Sequence, residues 1–156
     1  MRRSLAVAVA LGLIAVGCGG SEGDKLPREP VSGKVKIDGQ PLQDGAISFL
    51  PTDGEGPAAS SKIQKGDYAI QRANGPVPGP YRVLIYSPQP TGKKIDEEEE
   101  RLPNDVYAET IPGRYNAKSQ LKVDIKAGGD NSFDFELTGR MDPTKVNRGG
   151  VRRKGR

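Results

Sequence analysis

From Val31 onward the chain is written in short runs whose apolar residues fall on every second position, the spacing that buries one face of a β-strand and suits no amphipathic helix. Val31, Gly33, Val35 and Ile37 alternate with Ser32, Lys34 and Lys36; Phe133, Phe135 and Leu137 alternate with Asp134 and Glu136. The pattern predicts seven strands, at 31–37, 46–50, 58–64, 68–72, 81–87, 121–125 and 133–137. Turns are expected at Asp38-Gly39, Gln43-Asp44-Gly45, Lys65-Gly66-Asp67 and 128–131, where Gly, Asp and Asn tolerate the backbone that reverses a strand. The segment 121–125 and its successor 133–137 read as the clearest hairpin. With 21 glycines and 13 prolines in 156 residues, long helices have little room. One or two helical turns at 95–102, inside a long loop spanning 88–119, are the most that is expected. The expected class is all-β, a single seven-stranded antiparallel β-sandwich over residues 31–137.

The N-terminus carries a different signal. Arg2 and Arg3 precede twelve apolar or small residues, 5–16, ending at Gly17-Cys18. This is the layout of a secretory signal, and it is too short for a span of about 20 residues. Ala15-Val16-Gly17-Cys18 resembles the lipobox of bacterial lipoproteins, with Ala15 in the place usually held by leucine. The resemblance implies a signal peptide over 1–17 and lipidation of Cys18, the sole cysteine. Residues 18–30 lack apolar periodicity and read as a flexible tether. With that cysteine lipidated, no disulfide can form within the chain, so stability must come from packing.

Val31-Ser32-Gly33-Lys34-Val35, Asp38-Gly39-Gln40-Pro41-Leu42 and Gly45-Ala46-Ile47-Ser48-Phe49 resemble the opening of a carboxypeptidase-regulatory-like domain, of prealbumin (transthyretin) type. Gly66-Asp67-Tyr68 and Gly79-Pro80-Tyr81 are similar to the turn-and-core-tyrosine pattern of that group. Together with Ile111-Pro112-Gly113-Arg114-Tyr115-Asn116, these features resemble short lipoproteins of planctomycete bacteria. The resemblance implies a fold and a place in the cell envelope, and it carries no established activity.

The chain contains no histidine, which removes the commonest general base, the usual nucleophile partner and the imidazole ligands of most catalytic zinc sites. No catalytic residue, metal site or cofactor is expected, and the protein reads as a non-enzyme. The hydroxyisourate hydrolases and intradiol dioxygenases of related fold need histidines that are absent here. The acidic run 96–100 lacks the alternating carboxylates and central glycine of an EF-hand loop and reads as a solvated charge run. Tyr68 and Tyr81 are expected to cover the core edge while bonding their hydroxyls to backbone. Tyr107, Arg114 and Tyr115, in the 88–119 loop, are the candidate ligand contacts for a sugar, peptide or carboxylate. They support the alternative reading, a ligand-processing or carbohydrate- or peptide-binding protein.

Charge divides the chain. Residues 18–137 hold 15 Lys/Arg and 19 Asp/Glu, whereas 138–156 hold seven Lys/Arg and one acid. The segment 138–156 has almost nothing to bury and is expected to be a disordered basic tail. In an exported, lipid-anchored protein its expected partners are anionic lipid or cell-surface polymer, and nucleic acid is not the expected one.

Overall fold

The computed structural model describes residues 25–94 and 105–145. Cys18, the expected helical turns at 95–102 and the basic residues of 146–156 lie outside the described residues. The chain forms β1 (Val31–Ile37), β2 (Gln40–Pro41), β3 (Asp44–Pro51), β4 (Ala59–Gln64), β5 (Asp67–Ile70), β6 (Gly79–Tyr86), β7 (Pro88–Lys94), β8 (Asp105–Glu109), β9 (Lys122–Ile125) and β10 (Phe135–Leu137). Among the described residues the helical pieces are two single 3-10 turns, Arg72–Asn74 and Gly113–Tyr115. The fold is all-β. Its main sheet is a half-barrel in the order β10-β1-β5-β4-β3-β6-β9, with β2 paired to β1, while β7 and β8 form a separate two-stranded ribbon.

Strand β1 organises the sheet. Its first half pairs antiparallel with β5, from Val31 opposite Ile70 to Lys34 opposite Asp67. Its second half pairs parallel with β10, from Val35 opposite Phe135 to Ile37 opposite Leu137. The alternation that defines these strands becomes the core: Val35, Ile47, Phe49, Ile63, Val83 and Ile85 are fully buried. Gly33 falls on the core-facing period of β1 yet has no side chain to contribute. The carbonyl of Phe133 takes that space, since a Cβ on Gly33 would stand 2.0 Å from its oxygen and 3.0 Å from the Tyr68 hydroxyl. Tyr68 donates to that same carbonyl at 2.8 Å, and its ring leans on Phe49 and Phe135 with centroids 6.1 and 6.4 Å away. Burial pushes the Tyr68 hydroxyl far above its ordinary pKa, so it remains a donor. Tyr81 is equally buried, its hydroxyl lying beside Gly56 and Val77, and burial raises its pKa.

Four expectations need correction. The segments 121–125 and 133–137 do not form a hairpin: β9 joins β6 antiparallel, and β10 crosses to β1 and runs parallel to it. Alternation states which face of a strand is buried and leaves its partner open. The turn between them is closed by Asn131, whose side chain accepts from Lys126 N at 2.9 Å and donates to Lys126 O at 3.0 Å. The antiparallel seven-strand count therefore fails in two details, the parallel pair and the extra strands.

The second correction concerns the long loop, which contains the β7–β8 ribbon, Pro88 opposite Glu109 and Lys94 opposite Asp105. Most of its residues are exposed, so it buries no face and leaves no period-two signal.

Third, the tether is fixed before residue 31. Glu29 is buried at 5% exposure, its carboxylate accepting from Gly128 N at 2.9 Å and pairing with Arg72 at 2.9 Å. Glu29 N also donates to Pro76 O, and Arg28 donates to Gly75 O, both at 2.8 Å.

Fourth, the expected disordered tail opens with a docked segment. Gly139 N and Arg140 N donate to the Asp38 carboxylate at 2.7 and 2.9 Å, and Met141 N donates to Thr110 O at 2.8 Å. These backbone groups are held by polar contacts, which apolar content does not report.

Candidate functional site

The segment bearing the expected ligand contacts is built around Ile111, fully buried in the core. Glu109 accepts from Ser87 N at 2.9 Å and Ile111 N at 2.7 Å, while the Thr110 hydroxyl donates to Ser87 O at 2.7 Å. Asn116, itself buried, donates to Ile111 O at 3.0 Å and accepts from Ala117 N. With Pro112 at its entry, the single turn Gly113–Tyr115 is thereby clamped against β6, and its two candidate side chains project toward the end of β10.

There Arg114 and Tyr115 meet each other and Thr138. The guanidinium lies 4.8 Å from the Tyr115 ring centroid, in cation–π range. Arg114 Nη2 donates to Thr138 O at 2.6 Å and to its hydroxyl at 3.1 Å, and Thr138 N donates to the Tyr115 hydroxyl at 3.2 Å. The Thr138 hydroxyl contact, followed by Arg114, holds the Tyr115 hydroxyl below the usual tyrosine range. One residue further, the amides of Arg140 and then Gly139 hold the Asp38 carboxyl below its ordinary value. These side chains are engaged with the chain's own backbone, fastening the exit of β10 to the 3-10 turn and to the β1–β2 corner.

Tyr107 stands apart from that cluster. It sits on β8 opposite Pro90, 55% exposed, and among the described residues no hydrogen bond or ring contact joins it to Arg114 or Tyr115. The structure therefore brings together two of the three candidates, and the third belongs to the exposed ribbon. Asp105 sits opposite Lys94 on that ribbon, and the acidic run 96–100 lies outside the described residues.

A separate concavity lies elsewhere. A groove of about 720 Å³ opens where the end of β3 and the first half of β6 meet the start of β9, lined by Pro51, Thr52, Arg82, Ser119, Gln120 and Lys122. Val83 N donates to Leu121 O at 2.9 Å, which makes 83/121 a hydrogen-bonded pair of the antiparallel ladder. The next pair, Arg82 opposite Lys122, is then a non-bonded one, in which side chains approach most closely. Ser119 supports the floor, its buried hydroxyl donating to Val83 O at 2.5 Å, and the Thr52 hydroxyl donates to Pro80 O at 3.2 Å.

Arg82 and Lys122 escaped notice in the sequence because each looks like the ordinary polar half of an alternating strand. Only the register, which sequence does not display, sets them side by side. Glu29 escaped for a similar reason, as its partners Arg72 and Gly128 lie 43 and 99 residues away. Among the described residues no three Asp, Glu, His or Cys side chains gather as metal ligands. Comparison with protein-family models, with curated proteins and with solved structures gives no match.

Proposed function

We propose that the protein is an exported, lipid-anchored β-sandwich of prealbumin type, acting as a non-enzymatic structural or binding module at the cell envelope. The observation that carries this reading is the position of Cys18: the sole cysteine ends the apolar run 5–16, and the folded body begins ten residues later, at Arg28. That spacing suits an anchor joined to a domain by a short tether. The sandwich form is supported by β1, which lies between β5 and β10 and whose buried residues join those of β3, β4 and β6 in one hydrophobic core. The non-enzymatic reading is supported by the use made of the reactive side chains. Arg114, Tyr115, Asp38, Glu29 and Asn131 each bond to the chain's own backbone, where they hold loops.

Expression of the wild-type chain and Cys18→Ser in a bacterium that processes lipoproteins, followed by partition between detergent and water, tests the anchor. The wild type should enter the detergent phase and the variant should stay in water. Equal partition would overturn the reading.

A further inference from the structure

Two cations, Arg82 and Lys122, stand directly opposite each other in the groove at the start of β9. Like charges at opposed positions of an antiparallel pair destabilise it, and the closer non-bonded geometry of Arg82 and Lys122 enlarges the repulsion. On β1 and β5 the opposed pair is complementary, Lys34 standing opposite Asp67 and bonding to it. Neither Arg82 nor Lys122 has an ion-pair partner among the described residues. The nearest acid along the strand, Asp124, stands opposite Pro80 and is not part of the groove lining. The remaining lining offers hydroxyl and amide groups from Thr52, Ser119 and Gln120, and no aromatic ring.

Arg82 and Lys122 are both exposed, and an anion seated between them would turn their mutual repulsion into attraction. We propose that this groove binds an oxyanion, a carboxylate or phosphate, carried by a small hydrophilic ligand. Arg82 supplies a planar fork suited to two oxygens, Lys122 a point charge from the neighbouring strand, and the amide and hydroxyl groups around them suit a polar ligand body. The volume is that of a small-molecule site. This assignment stands independently of the lipid anchor.

The test is a residue-resolved NMR titration of the Cys18→Ser chain with inorganic phosphate, with galacturonate and with neutral galactose, repeated on Arg82→Gln and Lys122→Gln. At least one of the two anions should produce saturable shifts centred on Arg82 and residues 119–122, with galactose giving none. Each variant should weaken that binding at least about tenfold. Response to galacturonate alone identifies a carboxylate ligand, and response to phosphate alone a phosphate one. Shifts confined to other regions, equal response to galactose, or unchanged binding in both variants would overturn the proposal. Lys122→Glu supplies a second readout, since it should abolish anion binding while raising Tm by replacing repulsion with attraction. A fall in Tm with binding retained would show that the two cations are packing elements instead.

Discussion

Replacing Gly33 by Ala should damage this fold more than the same change at the exposed Gly39, because the parallel β10 strand depends on the absence of a side chain at Gly33. The new Cβ would meet the Phe133 carbonyl oxygen at 2.0 Å and its carbon at 2.7 Å, so the approach to β10 must shift. That shift strains the Tyr68 hydroxyl bond to Phe133 O and the Phe133 N bond to Ser32 O, at 2.8 and 2.9 Å. Each such bond contributes about 1 kcal/mol net, and forcing an extra methyl into a filled space costs about 1–3 kcal/mol, giving a total near 3–5 kcal/mol. Gly39→Ala is the control. Gly39 also has positive φ, +77°, but no atom lies within 4 Å of its Cβ position, so only the backbone cost of about 1–2 kcal/mol applies. The loss of chain freedom in the unfolded state is common to both substitutions and cancels in the comparison. Thermal melts of the two variants should therefore differ, Gly33→Ala falling by about 10–20 °C and Gly39→Ala by about 3–8 °C. Equal losses would mean that β10 does not run along β1 at this point.

Asp38→Asn should lower stability near neutral pH, since the amide retains one acceptor oxygen for the Gly139 and Arg140 amides where the carboxylate offers two. Because the folded-state pKa of Asp38 is depressed, its contribution is present above the unfolded value of about 3.9 and is lost as pH falls through the lower folded value. Urea melts of wild type and variant should converge below that range, and a difference that persists at the lowest pH would contradict the assignment. Removing 144–156 should leave Tm within about 2 °C, since among the described residues Thr144 and Lys145 bond to Asp142 alone, whereas removing 138–156 should lower it clearly by deleting the contacts to Arg114, Asp38 and Thr110. Phe135→Ala should cost about 3–4 kcal/mol and Glu136→Ala less than about 0.5 kcal/mol in chemical denaturation, as the first lies in the core and the second faces water.

Period-two alternation located β1, β3, β6, β9 and β10 because each puts every second residue into one core, and that regularity is local. Pairing is a long-range property. The partner of β10 is set by the Gly33 gap, the Tyr68 hydroxyl and the Asn131 turn, three features separated by up to 98 residues. The β7–β8 ribbon left no trace because neither strand buries a face. Arg114 and Tyr115 were recognisable as special through the Pro112-Gly113 turn before them, but the same features suit a ligand platform and a clamp, and only Thr138 distinguishes the two. The groove was invisible for want of register.

The proposal that a folded β-domain is held at a membrane through Cys18 is tested most directly by the mass of the N-terminal peptide from the mature protein. The prediction is a chain beginning at Cys18 and carrying a diacylglyceryl group, with or without a further acyl chain on its amine. A peptide that begins elsewhere, or a Cys18 with an unmodified thiol in protein recovered from the envelope, would contradict it.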